Sequence, residues 1–230
     1  MGSVGRGALY MVWGEAAERE AQASAASLSL SNPGLAYTIH RMPEGSCLLD
    51  KAEMFDISPY EETVFLDSDT RILGDLSFGF ERAREYGIAC CICECPWASR
   101  YPSIAGDCIE YNTGVLFFDK RHAGAERVFY AWQDYAGAVD SSITWDCGGR
   151  TLRMPYNDQA GFALAVEAEK FNPFVLPMNW NFRPQWHRTW FGGLKVWHGR
   201  HDVPVEITNA LHFARPMDFF ETRLNANKER

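Results

Sequence analysis

Short apolar segments alternate along this chain with longer amphipathic ones, and this alternation restricts the fold more than any other feature of the sequence. Apolar runs bounded by Gly, Pro, Asn or Asp are typical of buried strands, whereas the longer segments rich in Ala and Glu are typical of helices. Strands that alternate with helices pack into an α/β sheet that is mostly parallel. The predicted strands are 7–13, 35–40, 63–67, 87–92 and 113–119, and the predicted helices are 15–30, 77–86, 122–136 and 158–169. From 171 onward the chain is rich in Trp, Pro, His and Arg, and we predict irregular structure there.

Length and charge exclude several classes of protein. A chain of 230 residues suits a single domain. Its formal net charge of -8 argues against a nucleic-acid partner, because phosphate binding needs a clustered basic surface. The sequence contains no run of the roughly 20 apolar residues that would form a transmembrane segment, and its first residues lack the apolar core of a signal peptide.

Four of the seven cysteines lie in the segment ACCICEC, 90–95 with its preceding alanine. Cys91, Cys93 and Cys95 alternate along a predicted strand and therefore share one of its faces. The spacing lacks the second ligand pair that a zinc finger requires. We expect buried, reduced thiols and, with them, a cytoplasmic protein.

Two carboxylates follow the predicted strand 63–67 in the sequence VFLDSDT. Asp67 and Asp69 are two positions apart, so in extended chain their side chains point to the same side. Like charges this close raise each other's pKa unless a cation or a donor lies between them. The pattern is typical either of a solvated turn or of a site for a divalent ion that bridges to diphosphate oxygens. Its position at the carboxyl end of a strand favours the ion site, because ligands of open α/β sheets bind there.

Two further segments carry polar residues at the ends of predicted elements. In YNTGVLFFDK, Asn112 precedes an apolar strand, and Gly114 allows a ligand to approach the backbone closely. In NDQAGF, Asp158 and Gln159 stand at the start of a helix, where an aspartate also serves as an ordinary helix cap.

In this order the segments resemble the nucleotide-sugar-dependent glycosyltransferases of the GT-A fold, in particular the family 8-like group. The resemblance extends over roughly residues 8–218. It implies a mixed, mostly parallel Rossmann-like sheet flanked by helices in a single domain, 1–230, with a nucleotide-sugar-binding half (1–120) and an acceptor-side half (121–230). The segments that carry it are Lys51, VFLDSDT, YNTGVLFFD, NDQAGF, LPMNWNFRP and LHFARP.

The resemblance also implies a metal site. Asp67 and Asp69 would bind Mn²⁺ (or Mg²⁺), and a late histidine would complete the protein ligands. His212 in HFARP fits the family pattern, and His198 in KVWHGRHD is the alternative. The family ending is altered here, since Arg215 replaces a glycine and Asp218 stands where a phosphate-binding lysine belongs.

The remaining implied roles concern a nucleotide-diphosphate sugar, UDP-hexose by default, and a glycan or other hydroxyl acceptor. The donor would contact Lys51, Ser68, Asn112 and Gly114, while Asp158 and Gln159 would lie near the anomeric carbon and the acceptor as the catalytic pair. The activity implied is that of a hexosyltransferase.

Three points stay open at the level of sequence. Asp158 as a general base would give inversion, whereas Gln159 near the anomeric carbon suits the retention that the resemblance favours. A non-catalytic nucleotide-sugar or glycan-binding module of the same fold is the first alternative function. A sugar-phosphate nucleotidyltransferase is the second, although the Gly-rich basic loop usual after its first strand is missing.

Overall fold

A six-stranded sheet lies between two layers of helices. The computed structural model describes residues 5–93, 107–137, 144–153, 158–187 and 192–205. The strands are β1 (Arg6–Val12), β2 (Ala36–Arg41), β3 (Glu62–Leu66), β4 (Thr70–Ile72), β5 (Ile88–Ile92), β6 (Tyr111–Asp119), β7 (Thr144–Cys147), β8 (Arg150–Arg153), β9 (Phe174–Val175) and β10 (Val196–His198). The helices are α1 (Gly14–Ser31), α2 (Met54–Ile57), α3 (Ser77–Tyr86), α4 (Ala123–Ala136) and α5 (Asp158–Ala168), with 3₁₀ turns at Leu48–Glu53 and Met178–Trp180.

The sheet has the strand order β2-β1-β3-β6-β5-β9. Strand β1 is parallel to β2 and to β3, and β5 is parallel to β9, whereas β6 is antiparallel to both of its neighbours. This topology confirms the predicted mixed, mostly parallel α/β sheet in a single domain. Because β6 runs backwards, its first residues lie at the same edge of the sheet as the last residues of β1 and β3.

The two faces of the sheet bury two separate cores. Alternate residues of a strand point to opposite faces, so Val64 packs with α1 and α3 while Phe65 packs with α4 and α5. Side chains such as Phe80 on the first face and Trp132 on the second are fully buried. With both faces covered, the edges of the sheet and the strand ends are the places where polar groups can reach a ligand.

The predicted elements agree with the structure, which also contains short elements that we did not predict: the turn Leu48–Glu53, α2, β4, β7 and β8. The chain after 171 contains short ordered elements where we expected irregular structure: β9, the turn Met178–Trp180 and β10. Strand β10 pairs with β4 in an antiparallel ladder beside the main sheet. Strands of two or three residues are too short to show a hydrophobic period, which is why the sequence pattern missed them.

Burial of the cysteine cluster agrees with expectation where it is described. Cys91 and Cys93 are buried, and Cys95 lies outside the described residues. Among the described helices, none combines the length and the apolar composition that a bilayer crossing requires.

Candidate active site

The end of β3 and the beginning of β6 meet at one edge of the sheet. The Asp67 backbone N–H donates to the Gly114 carbonyl at 2.8 Å, one step beyond the pairing of Leu66 with Val115. This ladder places the carboxylate that follows β3 directly beside the polar start of β6. The convergence follows from the reversed direction of β6, since a parallel strand would bring its other end here.

Asp67, Asp69 and His198 form a cluster of three groups that can bind a metal ion. Each contributes one ligand atom, and these atoms all lie within 4.8 Å of one another. The His198 Nε2 atom is 3.5 Å from Asp67 Oδ2 and 3.4 Å from Asp69 Oδ1. The antiparallel pairing of β10 with β4 sets His198 opposite Thr70, and the Gly199 N–H donates to the Asp69 carbonyl at 2.9 Å.

His198, the alternative that the sequence left open, thus lies beside the two aspartates. His212, the residue that the resemblance favoured, lies outside the described residues, as do Arg215 and Asp218. A ladder between two strands of three residues, β10 and β4, brings His198 to the aspartates. That ladder has no periodic signal in the sequence.

Gly114 leaves the space that the three ligands occupy. A Cβ atom at this position would stand 2.5 Å from Asp67 Oδ2 and would overlap the His198 ring. Cβ atoms in real proteins essentially never come this close to an atom to which they are not bonded. The absence of a side chain at Gly114 is therefore a condition for the cluster.

Lys51 lies behind the cluster and is almost fully buried, with 2% of its surface exposed. Its ammonium is 2.7 Å from Asp67 Oδ1 and 3.4 Å from Asp158 Oδ2. Burial lowers the pKa of Lys51, but the charges of Asp158 and Asp67 outweigh this effect and raise the pKa above its ordinary value. Lys51 is therefore positively charged, and its two ion pairs link the end of β3 to the start of α5.

Asp158 and Gln159 begin α5 and are both buried. Thr113 donates its hydroxyl to Asp158 Oδ2, so this carboxylate has two partners besides any role in capping the helix. Asn112 Nδ2 donates to Gln159 Oε1 at 2.7 Å, and Gln159 Nε2 donates to Glu110 Oε1 at 2.6 Å. The predicted residues of β6 and α5 are thus in direct contact.

The outer side of the cluster carries a second set of charges. Ser68 donates its hydroxyl to Glu20 Oε2 at 3.3 Å, and Arg200 donates to Glu20 Oε1 at 2.8 Å.

The residues present fit a hard divalent cation. Two carboxylates and one imidazole nitrogen converge from three sides, and the missing Cβ of Gly114 keeps the space between them open. Carboxylates suit Mg²⁺ and Mn²⁺, and imidazole is a common ligand of divalent transition metals, so the set fits a divalent ion of this kind.

Several residues of this site were missed in the sequence. Asn181 lies in the LPMNWNFRP segment, which resembles the family pattern but gives no role for this residue. Its Oδ1 is 2.7 Å from His198 Nδ1. Glu110, Thr113, Glu20 and Arg200 gave no signal, because single polar residues in a helix or beside a strand are common.

Comparison with known proteins shows similarity at the level of structure. No family model matches the chain, and no curated protein matches it in sequence. The glycosyltransferase GlyE of Streptococcus pneumoniae TIGR4 is 17% identical with a TM-score of 0.52; the match covers 78% of this chain and 47% of that one, so the chain spans about half the length of GlyE. Mouse xyloside xylosyltransferase 1 is 13% identical with a TM-score of 0.57, and the match covers 87% of this chain and 100% of that one.

A third match is to a galactosyltransferase, LgtC, solved with donor and acceptor sugar analogues. It is 10% identical with a TM-score of 0.51, and the match covers 93% of this chain and 99% of that one. The sheet with one reversed strand, the flanking helices and the site at the strand ends occur together in this chain. The chain therefore has the GT-A fold of these glycosyltransferases.

Proposed function

We propose that this protein is a metal-dependent glycosyltransferase that moves a hexose from a nucleotide-diphosphate sugar, UDP-hexose by default, to a hydroxyl acceptor. One observation carries the proposal: Asp67, Asp69 and His198 converge where β3 ends, next to a second buried set formed by Lys51 and Asp158. Solved proteins of the same fold, among them LgtC and the mouse xylosyltransferase, carry glycosyltransferase names.

In this proposal Asp67, Asp69 and His198 hold Mn²⁺ or Mg²⁺. When bound, the ion acts as a Lewis acid that neutralises the charge developing on the diphosphate leaving group. Ser68 lies between the two aspartates and belongs to the donor side of the site, with the Gly114 backbone. His198 takes the role first assigned to His212.

Lys51 supplies the second positive charge of the donor site. Its ammonium is fixed by Asp67 and Asp158, so it needs no reorganisation when negative charge appears nearby. Preorganised charge of this kind stabilises a transition state more than mobile solvent does. We assign residues 1–120 to donor binding and residues 121–230 to the acceptor side.

Asn112, Asp158 and Gln159 are assigned to the sugar pocket. Asp158 Oδ2 faces both Thr113 and Lys51, and in this proposal the carboxylate is an electrostatic partner and Gln159 lies near the anomeric carbon. That arrangement favours retention over inversion. A proton NMR spectrum of the first product formed, taken before mutarotation, distinguishes the two outcomes by the anomeric coupling.

The first experiment is calorimetric titration of UDP, and separately of GDP, into the protein with Mn²⁺ or with EDTA. We expect Mn²⁺-dependent binding of one nucleotide, followed by turnover of a sugar attached to it. In Asp67→Asn the Kd for Mn²⁺ should rise by more than the ~10–100-fold that loss of an outer-shell partner costs. Asp107→Asn, the same change at an exposed aspartate, should bind as the wild type does.

The outcomes separate the candidate functions. Binding of neither nucleotide with or without metal contradicts the proposal. Metal-dependent binding with no transfer or hydrolysis for any sugar tested favours the non-catalytic module of the same fold. Unchanged Mn²⁺ affinity in Asp67→Asn shows that the cluster is not the metal site.

A further inference from the structure

A continuous line of side-chain hydrogen bonds runs from the metal cluster into the interior. It starts at His198, passes through the side-chain amides of Asn181, Asn112 and Gln159, and reaches the carboxylate of Glu110. Every side chain in this line, which we call the amide chain, is buried. Its donors and acceptors can be assigned one after another from a single fixed point.

The fixed point is the backbone of Gly114. Its N–H lies 3.1 Å from Asn112 Oδ1, and a backbone N–H is always a donor. The Asn112 atom that faces it must therefore be the carbonyl oxygen. The amide nitrogen of Asn112 then points to Gln159.

The orientation of Asn181 follows from that of Asn112. An Asn181 amide atom lies 2.6 Å from Asn112 Oδ1, which has been assigned as an acceptor. A second oxygen at this distance would repel the first, so the Asn181 atom is the NH₂ group. The other atom of the same amide, Oδ1, is the one that faces His198 Nδ1 at 2.7 Å.

An acceptor opposite Nδ1 determines the tautomer of His198. A neutral imidazole carries one proton, and the hydrogen bond to Asn181 Oδ1 places it on Nδ1. The lone pair is then on Nε2, the atom that lies 3.5 and 3.4 Å from the carboxylates of Asp67 and Asp69. The other tautomer would leave two lone pairs facing each other at Asn181 and would direct a proton at the cation.

We propose that Asn181 is a positioning residue that holds His198 in the Nδ1–H tautomer, so that the Nε2 lone pair is directed at a divalent cation between Asp67 and Asp69. The Gly114 backbone, through Asn112, sets the direction of this hydrogen bond. The inference rests on the proposed metal site and specifies how the fold prepares it. Outer partners of metal-bound histidines commonly fix ring orientation and tautomer in this way.

The same assignment reaches the sugar side of the site. Because Asn112 Oδ1 is occupied by Gly114 and Asn181, its amide nitrogen is the group left to donate to Gln159 Oε1. Gln159 in turn presents its nitrogen to Glu110. The amide chain therefore joins the metal cluster to the predicted catalytic glutamine with a single hydrogen-bond direction.

The test uses the full chain without metal and then with Mn²⁺. Long-range ¹H–¹⁵N NMR of the metal-free protein, recorded at alkaline pH where an imidazole carries a single proton, reports the tautomer of His198, and the signal is assigned by its loss in His198→Gln. We expect Nδ1–H in the wild type and a mixture of tautomers in Asn181→Ala. The Kd for Mn²⁺, measured by electron paramagnetic resonance, should rise ~10–100-fold in Asn181→Ala.

Two further variants separate positioning from packing. Asn179→Ala removes a neighbouring buried asparagine that donates to the Gly193 carbonyl at 2.7 Å and is not part of the amide chain, so its His198 spectrum and Kd should equal those of the wild type. Asn181→Asp keeps an acceptor for Nδ1–H but sets a second oxygen against Asn112 Oδ1, so we expect the Nδ1–H tautomer in a less stable protein. If Asn181→Ala does not fold, the tautomer of the wild type and of Asn181→Asp is the test.

An Nε2–H tautomer in the wild type, or an unchanged tautomer and Kd in Asn181→Ala, overturns the inference while Mn²⁺ binding by the wild type still supports the metal site. Nδ1–H in a wild type that binds no Mn²⁺ overturns the proposed function, and the inference with it. Equal effects of Asn179→Ala and Asn181→Ala also contradict a positioning role.

Discussion

At the scale of single residues, Gly114 contacts three of the residues that form the site. Its carbonyl accepts from Asp67, its N–H donates to Asn112, and the space above it holds the His198 ring. A β-strand normally disfavours glycine. Glycine is needed here because the side chains of Asp67 and His198 lie directly against the backbone.

Gly114→Ala should therefore damage the site more than the fold. The added Cβ would meet Asp67 Oδ2 and the His198 ring, and relief requires both side chains to move. We expect the free energy of unfolding to fall by about 1–3 kcal/mol, as is usual for an overpacked core, and Mn²⁺ binding to be lost. Chemical denaturation and Mn²⁺ titration measure the two effects.

The control for this substitution is Gly137→Ala. Gly137 has a helical φ of -70°, and an added Cβ would approach only the Asp134 carbonyl at 4.0 Å. This variant should bind Mn²⁺ as the wild type does. Wild-type Mn²⁺ affinity in Gly114→Ala would show that Mn²⁺ binds somewhere other than this cluster.

At the scale of elements, the turn between β3 and β4 is held by buried hydroxyl groups. Thr70 donates to the Asp67 carbonyl at 2.8 Å, Ser24 in α1 is 2.7 Å from Thr70, and Tyr10 in β1 is 3.1 Å from Ser24. Since Thr70 uses its proton on a carbonyl, each hydroxyl behind it must donate toward Asp67. The turn that carries Asp67 and Asp69 is thus anchored to one helix and one neighbouring strand.

Thr70→Val keeps the shape of the side chain and removes the hydroxyl. The Asp67 carbonyl loses a donor and the Ser24 hydroxyl loses its acceptor. We expect a loss of about 1–3 kcal/mol in the free energy of unfolding, the usual cost of leaving buried polar groups unsatisfied, together with weaker Mn²⁺ binding. Urea denaturation and Mn²⁺ titration test both.

Thr38→Val provides the comparison, because the Thr38 hydroxyl bonds Tyr60 at 2.9 Å in a partly buried position of β2. It should cost less stability and leave the Mn²⁺ affinity unchanged. An equal effect of the two substitutions on Mn²⁺ affinity would argue against a role of Thr70 in the turn.

The elements also show how far sequence reasoning extends. Asp67 and Asn112 stand at the ends of clear apolar runs, so their place at a strand end was predictable, and the structure brings these two segments together. His198 and Asn181 come from short elements of three residues or from irregular chain, where neither period nor propensity gives a signal. The reversal of β6, which places Gly114 beside Asp67, depends on pairing between distant segments and has no local signature.

At the scale of the whole molecule, a second charged cluster lies at the opposite end of the sheet. Glu62, the first residue of β3, binds Arg6 at 2.8 Å, Arg84 at 2.8 Å and Arg121 at 2.7 Å. Burial raises the pKa of Glu62, but hydrogen bonds from these arginines outweigh it and lower the pKa below its ordinary value. Five residue steps along β3, about 16 Å at ~3.3 Å per step, separate Glu62 from Asp67.

Acid stability should depend on Glu62. Because its pKa is lower in the folded than in the unfolded chain, it stabilises the fold above the unfolded value of about 4.3, and this contribution is lost as the pH falls through the folded value. Glu62→Gln should lower the free energy of unfolding at pH 7 by about 1 kcal/mol, since the arginines are partly exposed and screened. Its stability should change less than that of the wild type between about pH 5 and pH 3.

Urea denaturation at several pH values measures this slope. Glu61→Gln, the same change at the adjacent residue with 40% of its side chain exposed, should keep the wild-type slope. Mn²⁺ affinity at pH 7 should be equal in all three proteins, because the cluster is remote from the site. Equal slopes in the wild type and Glu62→Gln would contradict the assignment.

The register of β3 against β6 determines which residue of β6 lies beside Asp67. One residue added to β6 between Tyr111 and Gly114 would move Gly114 from its place opposite Asp67 to one opposite Leu66, and would move every later side chain to the opposite face. Insertions elsewhere, such as at the turn between β7 and β8, change no such alignment. Insertions in the loops should therefore leave the site intact, whereas an insertion in β6 should disrupt it. Along β6 the spacing of the backbone determines which residues face Asp67.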